Sequence, residues 1–415
     1  MNTKKNILLW ALYDFANSVI MIVFFLYFAQ IIVIDRGISD LAFNLTFTIS
    51  TIFLVFSIPI TGFLLDKYAR RITGLRYTTV LTAISYGLCT WAILLNKNIL
   101  SLILFTIATY FYQFSFTFYT PLLNDIAKPS KRGFVSGLGV AANHLGQIFG
   151  LLIVLPFSNG KISLFNASPR IETLLPAVII FFVLTLPMLL FFKEPKRISK
   201  KQKLILNIKD SIKESKALFS VSGVLLFIIS YFLFNDAIIT ASNNFSIFLE
   251  QVWHISDNIK TFILLGILAS SAIGGLVSGV IADKLGHKRT LLFILYSWVL
   301  ILPLIGFMNN FVLFVILTAL MGLWFGATWT VSRSVMAYIS PSGKHNLAFA
   351  YFGLAERAST FIGPIVWGVT ISKFVDLGSF RYRLAVLAIT VFIIIGIIFL
   401  HKVRDDRKEE KVTKK

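Results

Sequence analysis

Long apolar runs, separated by short polar or charged clusters, fill this chain from one end to the other. Twelve can be marked, over residues 8–34, 41–65, 77–95, 99–124, 134–156, 174–192, 217–248, 259–282, 290–308, 311–338, 347–372 and 382–401. Each has about the 20 residues that a helix needs to cross the hydrocarbon core of a bilayer. In that core every backbone polar group must be satisfied within the chain, so the pattern predicts an all-α membrane protein of twelve transmembrane helices. The first run follows two lysines, is too long for the apolar part of a signal peptide and lacks a small-residue cleavage site. It is read as a retained helix.

The polar residues left inside these runs are few, and a charge there costs roughly 2.5–3.5 kcal/mol on insertion scales. Run 1 carries Asp14 and Asn17, three apart and therefore on one face. Run 5 holds Asn143 and His144. Run 7 holds Asn235, Asp236 and Thr240, of which the last two share a face. Run 10 contains Ser332, Arg333 and Ser334, and run 11 contains Glu356 and Arg357. The interiors of runs 3, 6, 9 and 12 carry no charge. Asp14, Asn17, Asn235, Asp236, Thr240, Arg333, Glu356 and Arg357 are therefore the candidates for a substrate or proton cavity. Membrane carboxylates are the usual proton carriers; Asp236, midway along its run, is the first candidate and Glu356 the second. Arg333 stands near the end of its run and is equally readable as a gate brace.

Composition sharpens this picture. Hydrophobic residues make up 57% and charged residues 14% of the chain, against about 25% charged in a soluble domain. The net charge of +20 would suggest nucleic acid in a soluble protein, but here position matters more than sum. The N-terminus, the loops after even-numbered runs and the C-terminal stretch hold 29 of the 39 Lys and Arg, and the loops after odd-numbered runs hold 8. By the positive-inside rule both termini are cytoplasmic, and the expected location is the cytoplasmic (inner) membrane. The basic loops face anionic lipids of the inner leaflet, with no nucleic-acid partner. A lone cysteine, Cys89, excludes an intramolecular disulfide or a cysteine metal cluster. The five histidines lack metal-ligand spacing. "SGKHN" (342–346) lacks the upstream glycine and the hydroxyl of a phosphate-binding loop. An ATP-driven pump and an enzyme are both disfavoured, and no cofactor or metal is implied.

The chain also repeats itself. "GFLLDKYARR" (62–71) and "GVIADKLGHK" (279–288) share Gly-x3-Asp-Lys at an offset of 217, "ISD" recurs at 38–40 and 255–257 with the same offset, and "DIAKPSKRG" (125–133) answers "YISPSGKHN" (338–346). Two six-helix halves follow: 1–193 and 217–401, joined by a basic linker (194–216) and followed by a basic tail (402–415). In the linker Ile198, Ile205, Ile208 and Ile212 recur at helical spacing among lysines, which predicts an amphipathic surface helix. Both halves start on the same side, so the repeats are parallel, as in the two halves of major facilitator transporters. Gly62, Asp66 and Arg70, with Gly279, Asp283 and Lys288, are the candidate gating loops. The glycines are expected to allow close helix approach, and the aspartates to pair with Arg70 or Lys288 or to cap a neighbouring helix.

"ALYDFANS" (11–18), "YFLFNDAIIT" (231–240), "PLLNDIAKPSKRGFVSGLG" (121–139) and "SRSVMAYISPSGKHNLAFAYFGLAERASTFIGP" (332–364) resemble the signatures of the vacuole-effluxer branch of the major facilitators, over essentially the whole chain. Ala237 stands where that branch usually has glycine, and Phe15 where it has tryptophan. Run 5, "NHLGQIFGLL", lacks the Gly-Pro typical of proton antiporters. The resemblance implies a major facilitator fold. Runs 1, 4, 7 and 10 would line one aqueous chamber on which the buried charges converge, and the protein would be a monomeric secondary transporter working by alternating access. Eukaryotic relatives export amino acids from the vacuole. The expected cargo is a small polar solute, an amino acid or other carboxylate, moved with protons. A lipid or lysolipid flippase on the same fold is the alternative reading.

Overall fold

A computed structural model describes residues 3–67, 70–127, 132–194, 215–220, 223–341 and 345–403. Among these the chain is helical, with no strand. The main helices are α1 (Thr3–Val23), α2 (Asp40–Lys67), α3 (Arg71–Leu94), α4 (Asn98–Tyr119), α5 (Arg132–Ser158) and α6 (Leu174–Phe191). They continue with α7 (Val224–Trp253), α8 (Asp257–Leu285), α9 (His287–Phe307), α10 (Phe311–Ile339), α11 (His345–Ala358), α12 (Gly363–Lys373) and α13 (Phe380–His401). Among the described residues the apolar runs are helical with two departures: the seventh, expected from 217, enters its long helix only at Val224, and the eleventh is two helices, α11 and α12, with a break over 359–362. The linker helix expected around Ile198–Ile212 lies outside the described residues.

The repeated Ile-Ser-Asp does the same local work in both places. The backbone of Phe43 donates to Ser39 O and Ala42 N to the Ser39 hydroxyl, while Lys260 N donates to Ser256 O. Serine thus starts each helix and the following aspartate occupies its first turn, where negative charge is favoured.

Contacts divide the chain into two compact units. One comprises Met1–Lys196, Asn243–Leu268 and Ile371–Ser379, the other Arg197–Ser242, Ala269–Thr370 and Phe380–Lys415. The first unit therefore takes in α1 to α6 and also the end of α7 and the beginning of α8. Its core is aromatic. Trp10 stacks on Tyr119 at 4.8 Å, and Phe28 stacks on Phe105 at 4.4 Å beside Phe24, Phe43, Phe47 and Tyr86. Helix α1 continues as two π-helical segments, Phe24–Phe28 and Ile31–Asp35. Such wide turns shift the side chains that follow them around the helix and recur at functional sites.

In the second unit α8 and α10 cross with almost no side chain between them. A Cβ on Gly326 would stand 1.9 Å from the carbonyl oxygen of Ser271, and one on Gly274 would stand 2.0 Å from that of Leu323. Small residues set how closely membrane helices can approach. Gly279, expected to supply this approach, instead faces Thr330 Cγ2 at an ordinary 3.7 Å from its virtual Cβ. The tight crossing lies more than one turn earlier, where Gly274 and Gly326 meet the backbone of the facing helix. Gly62 and Asp66 belong to a stretch whose side chains lie outside the described residues.

The charged partners expected around these loops also differ. Arg70 is exposed at the start of α3, and its neighbour Arg71 makes the ion pair, to Asp125 at 2.9 Å. Asp283 is exposed. Lys288, at the position equivalent to Arg71, is buried and donates to the carbonyl oxygens of His401 (2.9 Å) and Val403 (2.6 Å). Those oxygens lie at the end of α13, where carbonyls lack helical partners, and an ammonium reaching them is a stronger attraction than a solvated pair with Asp283. Lys288→Met is therefore expected to destabilise the protein by about 1.5–3 kcal/mol, the range for hydrogen bonds from a charged donor. Thermal unfolding in detergent measures it, and an unchanged midpoint would contradict this assignment.

Candidate functional site

In the first unit the candidates sit where α1 meets α5. Gly146 lets the two backbones touch: a Cβ there would lie 2.2 Å from Phe15 O. One turn before it, Asn143 donates to Asp14 Oδ1 at 3.2 Å and accepts from Gln147 Nε2 at 2.7 Å. Gln147 and Asn143 thus form a directed amide chain that ends on the half-buried carboxylate. Asn17 is buried, and neither of its amide atoms is hydrogen-bonded among the described residues. Beside it Tyr13, fully buried, shares a 2.7 Å hydrogen bond with Thr79. Asp14 and Asn17 share a helix face, but Asp14 is engaged from α5 while Asn17 keeps unsatisfied polar atoms, as a side chain awaiting a ligand or water would.

In the second unit the candidates gather around the broken span. Asp236 Oδ2 accepts from the backbone N–H of Ile362 at 3.1 Å and of Gly363 at 2.7 Å. A carboxylate on α7 therefore caps the N-terminus of α12, where unpartnered amides and the helix dipole favour negative charge. Thr240, one turn on, faces the same place: a Cβ on Gly363 would lie 2.3 Å from Thr240 Oγ1 and 2.9 Å from Asp236 Oδ1. On the other side of the break Ser359 Oγ donates to Ala355 O at 2.7 Å and closes the last turn of α11. Asn235 turns towards α10, where its Oδ1 accepts from Trp329 Nε1 at 3.0 Å. Arg333 and Glu356 approach to 3.7 Å, with their side chains 47% and 36% exposed. Adjacent Arg357 is half-buried. The structure therefore gathers Asp236 and Thr240 on the break, joins Arg333 to Glu356, and sends Asn235 elsewhere.

The sequence reading overlooked a charged cluster within the first unit. Asp35, Arg170, Glu250, Asp257 and Lys260 are linked by ion pairs. They lie at the very ends of apolar runs, where charge is ordinarily a solvated loop. The available signal was Asp257 itself, which closes the second copy of the repeated Ile-Ser-Asp.

Comparison with known proteins places these features in context. A family model described as Major Facilitator Superfamily matches residues 10–270 and 228–415. An uncharacterized protein of Aquifex aeolicus is 25% identical over 406 residues, 96% of this chain and 97% of that one. Autophagy-related protein 22 of Candida glabrata is 25% identical over 209 residues, 46% of this chain but only 37% of the yeast protein. Among solved structures the nucleoside transporter NupG superposes with a TM-score of 0.73 at 13% identity, covering 97% of this chain and 99% of its own. A D-xylose-proton symporter superposes with a TM-score of 0.67 at 15% identity, covering 96% of each. At these identities the likeness to the solved structures is one of fold.

Proposed function

The chain belongs to the major facilitator superfamily, whose members are secondary transporters, and from that premise we propose that it moves a small carboxylate-bearing solute, such as an amino acid, by proton-coupled alternating access. The reading is carried by the exposed Arg333–Glu356 pair with Arg357 beside it, on two otherwise apolar spans. Charges in such spans face water or a partner, not hydrocarbon. A guanidinium held only at 3.7 Å from its carboxylate is readily turned to a solute carboxylate, which it binds in a two-pronged fashion. Asp14 and Asn17 on α1 are proposed as further solute-facing polar groups within the first unit, and Asn235 on α7 within the second. Proton exchange is assigned to Asp236, which links α7 to the break in the eleventh span. The naming of a proton symporter among the structural neighbours is in keeping with that assignment. The lipid-flippase alternative has no support among these relatives.

Asp66 and Asp283, repeat-related, are proposed to act on the conformational cycle and not on solute affinity. The protein is proposed to reside as a monomer in the cytoplasmic membrane, with both termini and the basic loops on the cytoplasmic side, against anionic lipids.

Uptake into proteoliposomes tests the reading with a panel of amino acids, other carboxylates and neutral polar solutes, with and without an imposed pH gradient. At least one carboxylate is expected to accumulate above its external concentration only when the gradient is present. Arg333→Gln should raise the KM for that solute about tenfold or more, as expected for loss of a charge-assisted contact. Transport confined to neutral solutes, or indifferent to the gradient, would refute it.

A further inference from the structure

Within the first unit, the end of α1, the entry to α6, the end of α7 and the start of α8 meet in a cluster of charges. Arg170 opens a one-turn helix, Pro169–Glu172, ahead of α6. Its Nε and Nη2 grip both oxygens of Asp257, at 2.7 and 3.1 Å. Nη1 donates to Asp35 at 2.6 Å, and Nη2 also donates to Glu250 at 2.9 Å. Lys260, with no exposed surface, donates to Asp257 at 2.8 Å and also to Glu250 and the Gln30 side-chain oxygen. The two bases share Glu250 Oε2 and Asp257 Oδ1, so the five charges form one body. Its geometry is prepared on both sides. Gln30 lies between the two π segments of α1, and its amide nitrogen is tied to Leu26 O, which turns its oxygen to Lys260. Glu172 is buried and accepts from the backbone of Leu164, Phe165 and Ala167, folding the preceding loop so that Arg170 is presented.

Asp35, Gln30 and Arg170 come from the first repeat, and Glu250, Asp257 and Lys260 from the second. We propose that this cluster is a latch: it joins the two repeats at the loops following odd-numbered spans and must open once in every cycle for those loops to admit or release solute. The inference rests on the alternating-access reading above. Three carboxylates face two bases, so removing one base leaves acids against each other, and the repulsion drives the latch open. A buried charge left without its partner is strongly destabilising in place, which gives the closed arrangement its all-or-none character. The adjoining contacts are neutral: Asn44 and Asn244 exchange amide hydrogen bonds at 2.9 and 2.8 Å, and Ser246 reaches Phe25 O at 3.5 Å. They join α2 and the π segment of α1 to α7 without resisting separation as charges do.

The test is labelling of Ser246→Cys, a buried position one turn inside Glu250, in a Cys89→Ser background with a membrane-impermeant maleimide. Arg170→Gln is expected to raise the labelling rate about tenfold or more, as a population shift towards the open form. Adding Asp35→Asn to Arg170→Gln restores the net charge of the cluster and should return labelling most of the way. An Arg170→Gln protein that elutes as a folded monomer and labels at the parental rate overturns the latch. Should that variant fail to fold, Asp35→Asn alone is expected to raise labelling by a smaller factor, and no rise overturns it equally. Labelling requires no solute. If the rates shift as expected while no solute of the panel is moved by the unaltered protein, the transport reading fails and the latch stands.

Discussion

Asp236→Asn is expected to abolish gradient-driven accumulation while leaving solute counterflow in place. The separation is sharp because asparagine keeps what the structure visibly uses. Asp236 Oδ2 receives two backbone N–H groups from Ile362 and Gly363, and asparagine caps helix N-termini about as well as aspartate does. The break in the eleventh span should survive, and with it the fold and the solute cavity. What asparagine cannot do is take up and release a proton. Exchange of labelled for unlabelled solute requires no net proton movement and continues, whereas uphill accumulation in response to an imposed pH gradient falls to the equilibrium level. Asp236→Ala serves as the contrasting variant, since it loses the cap as well and should be less stable by about 0.5–2 kcal/mol. If the asparagine variant still concentrates solute when a pH gradient is imposed, Asp236 does not couple transport to protons.

The largest loss of stability is expected from Gly326→Val. Its Cβ position lies 1.9 Å from a backbone oxygen, Ser271 O, and backbone cannot swing aside as a side chain can. The helices α8 and α10 must part, and the contacts along their crossing go with them. Overpacking typically costs about 1–3 kcal/mol, and a clash with backbone on both helices belongs at or above the upper end. Gly274→Ala, which meets Leu323 O at 2.0 Å, is expected to be similarly harmful alone. Together the two should cost less than their sum, because helices already pushed apart accommodate the second methyl. Denaturation of the two single variants and the double in detergent decides the matter; strictly additive losses would mean that the two glycines do not serve one crossing.

Helix existence was legible from hydropathy, since a bilayer rewards continuous apolar length and little else. The same property hid the interruption of the eleventh span. Residues 347–372 are mostly apolar on both sides of Glu356 and Arg357, and nothing in their hydropathy distinguishes a helix from two helices end to end. Gly363-Pro364 was the local hint, because proline fits best in a first helical turn, where its missing N–H leaves no bond unmade. Asp236 illustrates the other limit. A carboxylate in mid-span announces that it has a use, but its partner lies 127 positions further along (363 − 236) and exists only because the span is broken there. The charges of Asp35, Arg170 and Asp257 were readable but sat at run ends, where solvation explains a charge without any partner. Lys288 failed as a partner for Asp283 for a related reason: the unsatisfied carbonyls of a helix end carry no mark in sequence.

Gly150 and Gly363 take matching places in the two copies: a Cβ on Gly150 would meet Val19, which the repeat offset of 217 pairs with Asp236, and one on Gly363 would meet Asp236, yet α5 runs unbroken through the first while α12 begins at the second. Two duplicated modules started as interchangeable parts and have since acquired different mechanical characters. An unbroken helix behaves as a stiff rod and carries a displacement undiminished along its length. An interrupted one behaves as a joint, whose two pieces can change angle independently while the carboxylate at the gap determines how firmly they are pinned. Swapping the two copies within the gene would therefore preserve the helix count and the packing but exchange rod for joint, so the modules that once could trade places no longer can.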